Sequence, residues 1–325
     1  MVYASGVALA FLVGLTSVAS MPIDGVDSAV SVEPVEPVAV ESLESRATSV
    51  LSAAQIESYK PYTYYAGAAY CKPATTLAWN CGTNCNQNPS LKPIASGGNG
   101  ATIQYWYVGY DTSLKAIIPQ RRQISIIVGY QGTDADKILP VVTDLDFVLD
   151  DFDSSLFPGV SSSIKTHNGF NEAHARSASA VLAAVKKGMS TYSTSQITIV
   201  GHSLGGALAI ISTAHLAVNI PSAKIKTVSF SAPRVGNDAF VNFVNAKADM
   251  VRINNKKDLI PIVPGRFLGF SHTEGEIHIT SSNQWLSCPG TDSTDSGCTI
   301  ATVPNIFQGN AGDHGGPFNG ITIGC

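Results

Sequence analysis

The period of apolar and polar positions changes repeatedly along this chain, and each change marks an element. Residues 49–70 are Ala-rich with helix-compatible spacing, and Pro61 should break or kink that helix. Residues 102–110 alternate and carry aromatic side chains, as a half-buried strand does. Residues 123–129 are more continuously apolar, which predicts a buried strand, and they run into the loop Tyr130-Gln131-Gly132-Thr133. Ala, Val and Leu then recur at helical spacing over 168–189, with Lys186 and Lys187 suited to a helix C-terminus. Short β-branched runs at 196–200, 225–230 and 250–253 alternate with apolar helical stretches at 205–218 and 237–248. Strands and helices in that alternation predict a mostly parallel central sheet covered by helices on both faces. From residues 277–280 onward the pattern is loop-rich.

Residues 5–19 are apolar and uncharged, too short to span a bilayer, and Val18, Ala19 and Ser20 offer small residues for cleavage at their end. Residues 1–20 therefore read as a signal peptide, although no basic residue precedes Arg46. Residues 21–46, rich in Val, Pro, Ser and acids, have no period that could bury a core, and they read as a propeptide or an unstructured segment. Residues 47–325 remain for a single α/β domain. Six of the 24 acidic residues lie before residue 47, so the remainder carries 18 acids against 19 bases. A nearly neutral domain has no basic face for nucleic acid.

Six cysteines behind a signal peptide imply an oxidising, extracellular destination and three disulfides. Proximity in sequence favours Cys81 with Cys85 and Cys288 with Cys298, which leaves Cys71 for Cys325. A zinc reading of Cys81 and Cys85 is weaker, because a structural site wants a second ligand pair.

Gly201-His202-Ser203-Leu204-Gly205 fits the G-x-S-x-G elbow, a pattern that is weak alone but here stands between a β-branched run and an apolar helix. The glycines let a tight strand-to-helix turn pass, and the helix N-terminus below the serine favours a developing anion. A serine hydroxyl needs a base, and the base an orienting carboxylate. Asp258 is the best-placed acid, after the strand at 250–253 and before an apolar run. The histidines beyond it are His272, His278 and His314. His278 alternates with apolar neighbours like a strand residue, and His272 follows Asp258 closely. His314, in the late loop Gly312-Asp313-His314-Gly315-Gly316, has the better spacing.

These pieces together resemble the class 3 lipase family of secreted fungal lipases over about residues 50–325. The matching blocks are Tyr65 to Cys71, Gly132-Thr133, His167-Asn168-Gly169-Phe170, Gly201 to Ala209, Ala232 to Asn237, Asp258-Leu259-Ile260-Pro261, and Asp313-His314. The resemblance implies an α/β-hydrolase fold and a triad of Ser203, Asp258 and His314. It implies an oxyanion hole from Thr133 and the Leu204 amide, with the family's pairing for Cys71–Cys325 and Cys81–Cys85. It further implies ester hydrolysis without metal or organic cofactor, on lipid esters and most of all triacylglycerol, with a lipid–water interface as the only partner beyond substrate. Gln131 stands where the family usually has Arg, and the lid, residues 134–142, lacks the frequent Trp and contains Pro140. Its Ile138, Leu139, Val141 and Val142 suit a lipid surface. A soluble-ester hydrolase such as a feruloyl esterase would share the fold and triad, and a non-catalytic lipid-binding protein would be expected to lack part of the triad.

Overall fold

The β-branched runs pair side by side into one nine-stranded sheet, here in a computed structural model that describes residues 47–115, 122–133 and 147–325. In chain order its strands are β1 (Ser49–Val50), β2 (Lys92–Gly97), β3 (Trp106–Lys115) and β4 (Arg122–Tyr130). A separate small hairpin of β5 (Leu149–Asp151) and β6 (Lys165–His167) follows. The main sheet resumes with β7 (Gln196–His202), β8 (Lys224–Phe230), β9 (Ala248–Asn255), β10 (Glu276–Ile279) and β11 (Trp285–Cys288). Across the sheet the order is β1-β11-β10-β9-β8-β7-β4-β3-β2. The five central strands β10, β9, β8, β7 and β4 are parallel, and the strands outside them are antiparallel. This is the α/β-hydrolase architecture, with antiparallel edges on a parallel centre.

Alternation along the central strands divides the core. On β4, Ile126 and Val128 face one layer, where they pack with Val181, Val185, Leu208 and Ala209. Ile127, between them, faces the other layer with Tyr62, Tyr65 and Ala66. The helices that supply these residues are α1 (Ala53–Ala68), α4 (Asn168–Tyr192) and α5 (Leu204–Asn219), with short α2 (Pro73–Leu77) and α3 (Thr83–Asn86) between the first two. A sheet with near-continuous apolar strands is stable only when both faces are covered in this way.

Pro61 does not end α1. The helix runs through it, capped at the start by a reciprocal Ser52–Gln55 box, and it buries Tyr59, Tyr62 and Tyr65. Burying three aromatic side chains outweighs a cost of about 3 kcal/mol for an interior proline. The predicted helix at 237–248 is shorter, α6 (Asp238–Asn245), because the chain turns into β9 at Ala248. The C-terminal part is loop-rich, yet it also contains β11, which pairs with β10 and β1. The expected signal peptide, the segment 21–46 and the lid 134–142 lie outside the described residues.

Disulfides join Cys71 to Cys325, Cys81 to Cys85 and Cys288 to Cys298. The first closes a loop of sequence separation 254 and ties the end of α1 to the last residue. Chain entropy makes a loop of that size worth about 5 kcal/mol. Replacing Cys71 and Cys325 together by Ser should lower the melting temperature by roughly 10–15 °C, whereas a shift under about 3 °C would show that the end of the chain is held by packing alone.

Candidate active site

Strand β7 delivers the elbow. Its last residue, His202, is followed by Ser203 at φ 58°, ψ −130°, and α5 begins at Leu204. A non-glycine residue at positive φ is strained, and here the surroundings hold it. The Ser203 amide donates to the Phe230 carbonyl on neighbouring β8 at 2.9 Å. A Cβ at Gly201 would come within 2.0 Å of the Gly205 carbonyl oxygen, and one at Gly205 within 2.2 Å of that of Tyr130, so only glycine allows this crossing. Unlike most serines before a helix, Ser203 does not use its side chain to cap α5.

The Gly132-Thr133 loop leaves the C-terminal end of β4 against this turn. A Cβ on Gly132 would lie 3.0 Å from Ser203 Cβ and 2.4 Å from the His202 carbonyl oxygen, which measures how closely the loop backbone approaches the serine. Gln131, at the family's usual Arg position, is buried, and it clamps the loop to Tyr105 through two bonds of 2.8 Å. Leu204 is the first residue of α5, so its amide has no partner within the helix ladder.

Asp258 sits in the turn after β9. Its amide donates to the Asn255 carbonyl at 2.9 Å, and its Oδ1 accepts from the Ile260 amide at 3.0 Å. His314 follows a short 3-10 turn, Ala311–Asp313, and its Nδ1 lies 2.9 and 3.1 Å from the two Asp258 carboxylate oxygens. Both residues are 1% exposed. The loop carrying His314 is sewn to the Asp258 turn by bonds from Asn255 Nδ2 to the Asp313 carbonyl at 2.8 Å and from the Asn310 amide to the Lys257 carbonyl at 2.6 Å. His314 Nε2 is buried and without a hydrogen-bond partner among the described residues. The ring of His202, the residue before Ser203, lies 4.5 Å from the His314 ring between centroids.

The rival histidines are committed elsewhere. His272 Nε2 meets the Pro261 carbonyl at 2.6 Å, and its amide donates to Asp292. His278 is on β10, its Nε2 2.8 Å from the Lys256 carbonyl and its Nδ1 against the carbonyl of Gly297. Burial, helped by neighbouring Arg252, pushes the His272 pKa well below its usual value.

The segment after Asp258 and the segment before His314 wall a cavity of about 680 Å³, whose lining does not include Ser203, Asp258 or His314 themselves. Ile262, Val263, Phe267, Val303 and Ile306 line it, with Phe147 on a further segment. Arg234, from the Ala-Pro-Arg-Val-Gly-Asn block, braces one wall. It is 2% exposed and donates twice to Asp292, at 2.7 and 2.9 Å, and to the Pro264 carbonyl at 2.9 Å. At the cavity rim Phe267 is 90% exposed, and Phe307, next to the lining residue Ile306, is 91% exposed. The sequence pattern did not mark Arg234, Phe267 or Phe307 for these places. Among the described residues, the one group with metal-ligand character is Glu276 with Cys288 and Cys298, and those cysteines are bonded to each other.

Comparison with known proteins identifies the family and the fold. The family model "Lipase (class 3)" matches residues 103–268. A secreted mono- and diacylglycerol lipase of Malassezia restricta is 30% identical over 195 residues, covering 58% of this chain and 62% of its own. Thus the chain matches less than two thirds of that relative. Another secreted mono- and diacylglycerol lipase, of Malassezia globosa, is 26% identical over 289 residues, 86% of this chain and 88% of its own. Among solved structures, lipase II of Rhizopus niveus superposes with a TM-score of 0.72 at 25% identity, covering 85% of this chain and 98% of its own. The Rhizomucor miehei lipase in its propeptide complex gives 0.72 at 25%, covering 86% and 84%. A family match over half the chain, on a fold shared nearly end to end with solved lipases, makes this protein a member of the class 3 lipase family.

Proposed function

We propose that the protein hydrolyses carboxylic esters of lipids, triacylglycerol above all, through a Ser203–His314–Asp258 triad and an acyl-enzyme. One observation carries the reading: a buried imidazole bonded through Nδ1 to a buried carboxylate, with Nε2 unengaged, its ring 4.5 Å from that of His202, the residue before a serine held at positive φ at a helix N-terminus. Ser203 Oγ attacks the ester carbonyl carbon while His314 Nε2 takes its proton. The carbonyl oxygen becomes an oxyanion that the Leu204 amide and Thr133 stabilise, at about 3–4 kcal/mol per donor. Collapse breaks the C–O bond, and His314 returns the proton to the leaving alcohol. A water, deprotonated by His314, then attacks the acyl-enzyme, and collapse frees the acid and restores Ser203. Asp258 accepts the Nδ1 hydrogen throughout, fixing the tautomer and stabilising the imidazolium. None of these steps calls for a metal or organic cofactor.

The apolar cavity and its rim favour a lipid ester over a small dissolved one. The Malassezia relatives, named as acting on mono- and diacylglycerols and as secreted, support an acylglycerol substrate and an extracellular enzyme. The apolar segment 5–19 fits export, and 21–46 fits a propeptide. An aromatic side chain entering lipid gains about 1.5–3 kcal/mol. Phe307→Ser should therefore lower activity on emulsified trioleoylglycerol about tenfold and leave hydrolysis of dissolved p-nitrophenyl butyrate unchanged. Equal losses on both substrates would favour the soluble-ester reading.

A further inference from the structure

His202 is 3% exposed, and both of its ring nitrogens are engaged. Nε2 lies 2.8 Å from the backbone carbonyl oxygen of His314, and Nδ1 lies 2.7 Å from the Tyr70 hydroxyl. A carbonyl only accepts, so Nε2 carries a hydrogen. A neutral imidazole has one N–H, so Nδ1 is the acceptor and receives the Tyr70 phenol hydrogen. Burial holds the His202 pKa well below its usual value, and the His314 ring beside it adds to that, which keeps the ring neutral. Among the described residues, the titratable groups bonded to or stacked near His202 are Tyr70 and His314, and Phe318 closes another side with its ring centroid 6.2 Å away.

The Asp258 carboxylate fixes the orientation of the His314 ring, and the bonds at Asn310 and Asp313 hold the loop that leads to it, but neither reaches the His314 carbonyl itself. That backbone lies in a glycine-rich stretch, with Gly309, Gly312, Gly315 and Gly316 around it. His202 supplies a bond to the His314 carbonyl from the residue next to Ser203, across 112 positions of sequence. Tyr70 enters from the end of α1, one residue before the Cys71–Cys325 bridge.

We propose that His202 is a positioning residue: held as the Nε2–H tautomer by Tyr70, it anchors the backbone of His314 and sets the distance between base and nucleophile. The proposal rests on the triad reading above. A neutral ring at this place also keeps a second positive charge away from the imidazolium that forms during turnover, since like charges so close would disfavour it.

Two replacements separate the functions of the ring. Gln places its amide nitrogen where His carries Nε2, so His202→Gln keeps a donor for the His314 carbonyl. Asn reaches only to the Nδ1 position, so His202→Asn keeps the Tyr70 bond and loses the anchor. On dissolved p-nitrophenyl butyrate, His202→Asn should lose about 10- to 100-fold in kcat with KM little changed, His202→Gln should stay within about threefold to fivefold of wild type, and Tyr70→Phe should fall between them. Melting temperatures of all variants are measured alongside, because both His202 replacements lose the same ring packing and a purely structural role would give them equal kcat. Ring-nitrogen NMR shifts should show His202 as a non-titrating Nε2–H tautomer in the wild type and as a tautomer mixture in Tyr70→Phe. Equal kcat for the Gln and Asn variants, or an Nδ1–H tautomer in the wild type, would overturn the proposal. Each enzyme is also reacted with diethyl p-nitrophenyl phosphate. Phosphorylated Ser203 with equal Gln and Asn activities sinks the positioning role alone, and absence of label on Ser203 in wild type removes the triad and this proposal together.

Discussion

Ser203→Ala is expected to lower kcat on a dissolved short-chain ester by about 10⁵- to 10⁶-fold, as loss of the nucleophile does in other triad enzymes. The fold should be unaffected. Ser203 lies at φ 58°, but Ala has the same Cβ and meets the same backbone restraint, and the amide bond to Phe230 is a main-chain bond that the substitution keeps. The side chain removed makes no capping bond to α5. The melting temperature should therefore move by no more than about 1–2 °C. Residual hydrolysis, from oxyanion stabilisation and binding alone, should remain above the uncatalysed rate. More than a few per cent of wild-type activity, with unchanged circular dichroism, would exclude Ser203 as nucleophile.

Asp258→Asn should cost about 10⁴-fold in kcat, the scale seen when a triad carboxylate becomes an amide. The geometry indicates why. The Ile260 amide donates to Asp258 Oδ1, and an Asn at this position would turn its oxygen to that donor. Its NH₂ would then face His314 Nδ1, which would have to accept. The remaining imidazole hydrogen would move to Nε2, the atom that must take the Ser203 proton. KM should change little, because the substitution does not touch the cavity lined by Ile262, Val263 and Ile306. Steady-state kinetics on p-nitrophenyl butyrate at neutral pH check this, and retention of more than about 1% of kcat would show that Asp258 does not orient the base.

The elbow was legible in the sequence because its parts are local. A β-branched run, two spaced glycines and an apolar helix within about 25 residues leave one way to turn, and β7 and α5 occur where that pattern places them. The position of Asp258, proposed as the triad acid, was legible for a similar reason: it is the first acid after β9, a strand with parallel neighbours on both sides. The proposed base, His314, was less so. Periodicity alone left His272 and His278 as rivals, because what commits them is contact with the carbonyls of Pro261, Lys256 and Gly297, and tertiary contacts leave no period.

Short outer strands were missed on the same grounds. β11 has four residues, and its pairing with β10 and β1 sets it, with no run of its own long enough to show. The cavity was invisible too. Phe267 and Phe307 stand in three-residue 3-10 turns, where no apolar face repeats and exposure depends on neighbouring loops. Pro61 does not break its helix because α1 buries three tyrosines, a tertiary gain that a local helix-breaking residue does not reveal.

The central claim is that Ser203 carries the acyl group. Rapid mixing of enzyme with p-nitrophenyl acetate, acid quenching within milliseconds and peptide mapping by mass spectrometry would read this directly. An acyl-enzyme on Ser203 gives a burst of p-nitrophenol near one equivalent and an added acetyl mass on Ser203 that is absent from Ser203→Ala. An acetyl group found on another residue, or turnover with full burst in Ser203→Ala, would contradict it.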